Sequence, residues 1–343
     1  MTNISFPGLG IDVFSVNKIA FTIPIGGGIG VRWYGIFITL GIILAMVYCS
    51  YRAKQEKIIF DDLLDMAIFT VISAIIGARL YYVLFSLSEY DSFLDVIAIW
   101  NGGLAIYGGI IGGAIAIFFV CKKKKINTLK AFDMVCPAVM IGQIIGRWGN
   151  FFNGEAYGAE VASDELLYFI RMGLSHGQAG ITTYFHPTFL YESLWNLLGF
   201  VIINSLYKKK KFDGQIFLMY ITWYGFGRMF IESLRVDSLK LGVFRVSQVI
   251  GFICFITGLV LLVINFDKAH RKALANESYE AVYTKFAKPV EETVEADDAE
   301  EIADESDDDN DDEIEEDEEP EIDEEEINAD ISDKLKNLFD DEN

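Results

Sequence analysis

The sequence has few of the residues that build disulfide frameworks and metal centres. Its 343 residues include four cysteines and three histidines. No CxxC spacing occurs, and the histidines lie far apart in the chain. Structural zinc sites and disulfide scaffolds need such residues in close or patterned spacing. We therefore expect no metal site and four free, buried thiols, each in or beside an apolar run: Cys49, Cys121, Cys136 and Cys254.

Basic residues are nearly missing from the end of the chain. Residues 291–343 hold 30 of the 50 acidic residues and only two lysines, which leaves 20 acidic against 26 basic residues in 1–290, a net charge of +6. The overall charge of −22 therefore describes a tail, and it does not describe the body. We predict a membrane domain over 1–285 and a disordered acidic cytoplasmic tail over 286–343, because the tail has too little apolar surface to fold. We expect no nucleic acid partner.

The N-terminus lacks the basic start, short apolar stretch and small-residue cleavage site of a secretory signal, so no cleavable signal peptide is expected. Long apolar segments, in contrast, recur along the body. Each is close to the length that a helix needs to cross about 30 Å of hydrocarbon, where the backbone must satisfy its own hydrogen bonds. Seven such segments are predicted: 32–51, 62–87, 97–120, 130–150, 187–207, 214–233 and 244–266. The fold class is thus an all-α integral membrane protein with seven transmembrane helices.

The basic residues between segments predict the orientation. Lysine and arginine follow the first, third, fifth and seventh segments, whereas the loop after the second, SLSEYDSFLD, has none. Lysine-rich loops stay cytoplasmic. The pattern therefore places the N-terminus outside and the C-terminus in the cytoplasm, with the 151–186 loop on the outer side of a multi-pass protein of the cell membrane.

Charged and amide side chains occur near the predicted outer ends of several segments. Such groups are costly in lipid and usually face protein or a wet cavity. Arg228 and Glu232 have i, i+4 spacing, which fits either a self-neutralising pair or part of a ligand site. Arginine matches the oxygens of a phosphate, so a lipid headgroup is the ligand that this set favours. The remaining members are Arg79, Arg147, Asn150, Asn153, Glu155 and Glu192; Arg79 also fits a packing role and the two asparagines also fit contacts between helices.

Glycines are concentrated in NGGLAIYGGIIGG. Gly108 and Gly112 have the GxxxG spacing of closely packed membrane helices. Gly102 and Gly103 are placed to interrupt the helix and to open a cleft for lipid.

GRWGNFFNGEAYG at 146–158 resembles the signature of bacterial phosphatidylglycerol–prolipoprotein diacylglyceryl transferases. Five further stretches also match this family: VRWYGI at 31–36, GARLYYV at 77–83, WNGGLAIYGG at 100–109, HPTFLYE at 186–192 and YGFGRMFIESLR at 224–235. The resemblance covers residues 1–270 in the family's order and leaves the acidic tail unexplained.

The resemblance implies a reaction and its partners. Diacylglyceryl is transferred from phosphatidylglycerol to the lipobox cysteine of a preprolipoprotein signal peptide; a thioether forms and glycerol 1-phosphate leaves. No cofactor is implied, and the bilayer is the medium. By resemblance, Arg147 and Arg228 bind and neutralise the phosphate, Tyr34 is an important tyrosine of the first segment, and Glu232 orients Arg228. The other implied groups that bind phosphatidylglycerol are Arg79, Gly102, Gly103, Asn150, Asn153, Glu155 and His186.

Tyr107 occupies a position where many family members have histidine. With an unperturbed pKa of about 10 it is a poor base at neutral pH. We therefore expect electrostatic stabilisation to carry most of the catalysis, and the proton acceptor stays open. His186 is the other candidate base, although a residue directly before Pro187 equally fits a role in bracing the helix that follows.

Two readings from other classes compete. A transporter would use the arginines to line an anion path, but the two halves show no internal repeat, and the polar groups gather near one membrane face. A scaffold that recruits partners through the tail would need only residues 285–343.

Overall fold

The computed structural model describes residues 1–24, 27–87, 90, 92–176, 180, 183–236, 240–242 and 244–286. Met1–Phe286 form one compact unit. The predicted acidic tail lies outside the described residues, except for its first residue.

Helices dominate the described part of the chain. They are α1 Trp33–Gln55, α2 Phe60–Phe85, α3 Phe93–Ile97, α4 Ile106–Lys124, α5 Thr128–Asn153, α6 Thr188–Leu206, α7 Gln215–Leu234 and α8 Val246–Phe286. Six of the described helices are long and apolar enough to cross a membrane, namely all except α3 and α7. The predicted sixth segment, 214–233, does form the 20-residue helix α7. Its charged pair, Arg228 and Glu232, and the polar groups of its three tyrosine and tryptophan residues keep it outside that set.

The long helices turn apolar side chains outward. Ile43 on α1 is 54% exposed, Phe119 on α4 is 61% exposed and Val263 on α8 is 62% exposed. Water does not tolerate large contiguous apolar surfaces of this kind, whereas lipid does. The protein is therefore a multi-pass membrane protein.

Two predicted segment boundaries are wrong. The third segment was placed at 97–120, but α4 begins at Ile106, because Gly102 and Gly103 have φ angles of 89° and 71° and interrupt the helix. The seventh was placed at 244–266, but α8 continues to Phe286. Its extension is polar and rich in helix-forming Ala, Lys and Glu, so it forms a helix without being apolar.

Strands, which the all-α prediction missed, pack beside the ends of the helices. Among the described residues they are β1 Thr2–Phe6, β2 Ile11–Val16, β3 Ile19–Ile23, β4 Ile29–Arg32, β5 Met172–His176, β6 Tyr184–Phe185, β7 Lys240–Leu241 and β8 Phe244–Arg245. An antiparallel sheet has the order β2-β1-β5-β6. Its register pairs Ile4 with Leu174. Both pack against Phe151 and Phe189, so the sheet covers the end of α5 and the start of α6.

Glycines bring α2 and α4 together, as the GxxxG spacing predicts. A Cβ at Gly108 would overlap the carbonyl of Gly77, and one at Gly112 would overlap the carbonyl of Ser73. No larger residue fits at these positions without separating the helices. This contact sets where the start of α4, with Tyr107, lies in the bundle.

A buried carboxylate fixes the start of α7 at the opposite end of the bundle. Asp133 of α5 is fully buried and accepts hydrogen bonds from the backbone N–H of Gly214 and Phe217, both at 2.9 Å. Lys210 Nζ lies 3.2 Å from Asp133 and 2.7 Å from Glu56. Burial lowers the pKa of Lys210, but these two carboxylates more than offset that effect, so its pKa is raised. The start of α7 is thereby anchored to α5.

Candidate functional site

One carboxylate joins two arginines from different helices. Glu192, in the first turns of α6, is 4% exposed. Its Oε1 contacts Nη2 of Arg147 on α5, and its Oε2 lies 3.4 Å from Nη1 of Arg228 on α7. Nη2 of Arg228 also pairs with Oε2 of Glu232 at 2.7 Å. We call these four residues the arginine cluster.

The arginine cluster is balanced in charge. Within these four residues, two guanidinium groups face two carboxylates that hold and neutralise them, and Arg235 Nε approaches Glu232 Oε2 from outside the cluster at 4.0 Å. The side chain of Arg147 is 22% exposed and that of Arg228 is 14% exposed, while the carboxylates are almost completely buried. An incoming anion can therefore reach the arginines, and it must compete there with Glu192.

Amides extend this network at the end of α5. Arg147 Nη1 donates to Asn150 Oδ1 at 3.4 Å, and the amide nitrogens of Asn150 and Asn153 donate to Glu155 Oε1 at 3.2 and 3.0 Å. Gly154, with φ of 61°, turns the chain back so that Glu155 reaches both asparagines. The polar positions of the 146–158 stretch thus contact one another, from Arg147 to Glu155.

Tyr34 lies at the start of α1 and Tyr107 at the start of α4. The Tyr34 ring packs on Gly149, where a Cβ would come within 2.7 Å of the ring carbon Cδ2, and Tyr34 is 38% exposed. The hydroxyl of Tyr107 donates to Ser247 Oγ at 2.7 Å, and Gln248, the next residue of α8, donates to the carbonyl of Met229 beside Arg228. Tyr107 therefore belongs to the surroundings of the arginine cluster.

Arg79 binds backbone carbonyl groups of the segment between α2 and α4. It is 7% exposed, and its guanidinium donates to four carbonyls: Asp95 and Val96, each at 2.7 Å, and Gly102 and Gly103 at 2.7 and 2.9 Å. Both glycine carbonyls thus point at Arg79. These contacts support the packing role that the sequence left open, and they tie Arg79 and both glycines into one loop anchor.

His186 has partners on both ring nitrogens. Nε2 lies 2.9 Å from Glu165 Oε2, and Nδ1 lies 3.2 Å from the hydroxyl of Tyr191. The residue is 4% exposed. This arrangement favours bracing the start of α6 over acting as a base.

The sequence placed Glu192 among the charged groups near the outer ends of the segments, but it did not identify its partners. The signal was present, since a carboxylate in the apolar run HPTFLYES needs a partner. The partner was not visible, because Arg147 and Arg228 are 45 and 36 residues away along the chain. Ser247 and Asn196 carry no comparable signal.

Comparisons with known proteins show which family the chain belongs to. A family model described as prolipoprotein diacylglyceryl transferase matches residues 18–264. The chain is 47% identical over 247 residues to the phosphatidylglycerol–prolipoprotein diacylglyceryl transferase of Streptococcus suis (strain 05ZYH33), covering 71% of this chain and 91% of the relative. It is 44% identical over 259 residues to transferase 1 of Clostridium perfringens (strain 13 / Type A), covering 75% and 97%. The corresponding protein of Streptococcus pneumoniae serotype 4 is 48% identical over 242 residues, covering 69% and 90%. The chain belongs to the prolipoprotein diacylglyceryl transferase family.

Proposed function

We propose that this protein transfers the diacylglyceryl group of phosphatidylglycerol to the thiol of a lipobox cysteine in a preprolipoprotein, as the first step of lipoprotein maturation. The observation that carries this proposal is the meeting of Arg147 and Arg228 on Glu192. Two guanidinium groups from different helices, one of them partly exposed, suit a phosphodiester that arrives from the lipid.

The reaction is a displacement at carbon. The substrate sulfur attacks the glyceryl carbon that bears the phosphate, a C–S bond forms, and the C–O bond to phosphate breaks. The cysteine thiol loses its proton in this step, and a phosphate oxygen of the leaving glycerol 1-phosphate can accept it. Charge develops on the phosphate oxygens, where Arg147 and Arg228 stabilise it. The same positive groups favour the thiolate of a cysteine with a usual pKa of about 8.5.

The balanced charge of the arginine cluster implies an exchange of partners. The phosphodiester replaces Glu192 at one or both guanidinium groups, and Glu232 continues to hold Arg228. Asn150, Asn153 and Glu155 position Arg147 and contact the headgroup. Tyr107 contributes through the hydrogen bond that its hydroxyl donates to Ser247 Oγ. Tyr34 lines the entry beside Gly149.

Arg79, Gly102, Gly103 and His186 act through the shape of the site. The loop anchor of Arg79 keeps the Gly102–Gly103 bend open in front of α4, next to the path by which lipid enters. His186 holds the start of α6, from which Glu192 projects.

We further propose that α7 also spans the membrane, which brings the number of spans to seven, with the N-terminus outside and the C-terminus in the cytoplasm of a bacterial cell. The arginine cluster then faces the outer leaflet, where lipobox peptides emerge. The lysine-rich turns at 122–125 and 208–211 support this orientation. The division at 285/286 into membrane domain and acidic tail is kept as a prediction.

The test uses purified protein in vesicles that contain phosphatidylglycerol, with a lipobox peptide as acceptor. A gain of one diacylglyceryl mass on the peptide cysteine is expected. Arg147→Ala and Arg228→Lys should each reduce the rate by at least about 100-fold, because an ammonium group cannot reproduce the guanidinium fork. Arg52→Lys is the matched control: Arg52 is 3% exposed and bonds Gln55 and Asn204 at the opposite end of the bundle.

Two results would contradict the proposal. One is that the folded protein adds no mass to the peptide but allows anions to cross the vesicle membrane, which would favour a transporter. The other is an equal loss of transfer in Arg52→Lys and Arg228→Lys.

A further inference from the structure

A small, partly open cavity lies between α6 and α7, beside the contact of Glu192 with Arg228. It offers about 10 Å³ to the centre of a water-sized sphere. Trp195 forms one wall and stacks on Trp223, with ring centroids 4.2 Å apart. Each indole N–H donates to the other tryptophan's carbonyl, at 3.2 and 3.0 Å. The wall is therefore rigid and holds α6 against α7.

Two of the residues around the cavity, Asn196 and Arg228, have buried polar atoms without a hydrogen-bond partner in the part of the chain that the structure describes. Asn196 is 1% exposed, and neither its Oδ1 nor its Nδ2 makes a hydrogen bond. Nε of Arg228 is also buried without a partner, although its Nη atoms bind Glu192 and Glu232. Buried polar groups in native proteins are paired with protein or with ordered water in the great majority of cases. Three such atoms around one cavity point to a ligand that can both donate and accept.

The size and chemistry of the cavity select the ligand. A single water needs about 10–15 Å³ on this measure and bonds to two to four polar groups. A cation is disfavoured by Arg228, and chloride is disfavoured by Glu192 and by the acceptor oxygen of Asn196. Water fits the space and every polar group around it.

We propose that this cavity binds one ordered water. The water accepts a hydrogen bond from Arg228 Nε and makes a second hydrogen bond with the side-chain amide of Asn196. Asn196 is thereby a positioning residue for Arg228. The consequence rests on the proposed function: when a phosphodiester displaces Glu192 from Arg228, the water still holds the guanidinium plane. Asn196 then acts on the transition state through Arg228 and does not touch the substrate.

The experiment compares Asn196→Leu with Asn196→Ser and with Asn204→Leu in the transfer assay. Leucine has a similar size and cannot bond the water, so kcat should fall about tenfold with KM for phosphatidylglycerol unchanged, as expected for one lost hydrogen bond at a transition state. Serine keeps a hydroxyl and leaves room for a second water, so kcat should return to within about threefold of wild type. Asn204→Leu makes the same change two turns further along α6, where Asn204 accepts from Tyr48 and Arg52. It should lower the unfolding temperature and leave kcat unchanged.

A crystal structure of the wild-type protein that resolves waters supplies the independent measurement. Density within hydrogen-bond distance of Arg228 Nε and the Asn196 amide supports the proposal, and an empty or apolar-filled cavity overturns it. Wild-type kcat in Asn196→Leu also overturns it, as does a loss in Asn196→Ser equal to that in Asn196→Leu. If Asn196→Leu fails to fold, the serine variant and the density still decide. If wild-type protein transfers no lipid, the proposed function fails while the density still tests the water site.

Discussion

Replacing Glu192 by glutamine tests whether one carboxylate both aligns and restrains the two arginines. Glu192→Gln keeps the size of the side chain and one acceptor oxygen, and it removes the negative charge between Arg147 and Arg228. Arg228 then keeps its pair with Glu232, and Arg147 loses its carboxylate partner. The arginines should become more attractive to an anion and, at the same time, less well oriented.

The size of the effect follows from burial. Removing one partner of a buried ion pair costs about 3–5 kcal/mol when the remaining charge stays buried and unpaired. Here Arg228 keeps Glu232 at 2.7 Å, and the Arg147 side chain is 22% exposed and so reaches solvent. We therefore expect a loss of about 2–3 kcal/mol in the free energy of unfolding. Because the guanidinium groups also lose their alignment toward the transition state, kcat should fall by about 100-fold.

The assay is steady-state transfer to a lipobox peptide over a range of phosphatidylglycerol contents. In Glu192→Gln, kcat should fall while KM for the lipid also falls, since the resident anion no longer competes with phosphate. Glu56→Gln is the matched control. Glu56 is also a buried partner in an ion pair, 2.7 Å from Lys210, but it lies at the opposite end of the bundle.

Two outcomes would refute this reasoning. If Glu192→Gln keeps wild-type kcat, the carboxylate does not align the arginines. If Glu56→Gln loses kcat to the same extent, the effect reports general destabilisation of the bundle and says nothing specific about Glu192.

Three further expectations concern other parts of the molecule. Tyr107→Phe should lose less than about tenfold in rate, since one hydrogen bond is removed, and Tyr107→His should add a titration near pH 6.5 to the rate profile; abolition of transfer by Tyr107→Phe would make the hydroxyl essential. Gly112→Ala should lower stability by about 1–3 kcal/mol in thermal unfolding, because a Cβ there overlaps the Ser73 carbonyl. Gly142→Ala, with no atom within 4 Å of its added Cβ, is the control, and equal losses would contradict the packing argument. Transfer should stay intact when all four free cysteines, Cys49, Cys121, Cys136 and Cys254, are replaced by alanine, because the nucleophile belongs to the peptide. Loss of transfer in any of the single alanine variants would contradict this.

The cysteine and glycine predictions also show what short-range pattern can indicate. All four thiols are free, as the spacing predicts; three are buried, while Cys254 is half-buried. The GxxxG spacing predicts the contact of α4 with a neighbour, and the structure identifies that neighbour as α2 through Gly77 and Ser73. The spacing states that a close approach occurs, but the partner depends on how the whole bundle packs.

The strands mark a limit of sequence reasoning in this protein. Ile4 of β1 pairs with Leu174 of β5. Neither short segment contains a pattern that predicts the other as its partner. Strand pairing over such a separation depends on the helices between them, which bring the two segments together. The sheet therefore depends on the packing of α5 and α6, whose Phe151 and Phe189 lie in the same hydrophobic cluster as Ile4 and Leu174.

The amino-acid sequence by itself determined the membrane helices and the chemical types at the site. A long apolar run in lipid has to close its backbone hydrogen bonds internally, so composition and length suffice to predict a helix. Only the tertiary structure decided which charges meet. Glu192 reads as one carboxylate in an apolar segment, and it becomes the shared partner of Arg147 and Arg228 because α5, α6 and α7 pack together. That juxtaposition is a property of helix packing over distant parts of the chain, and no local pattern encodes it.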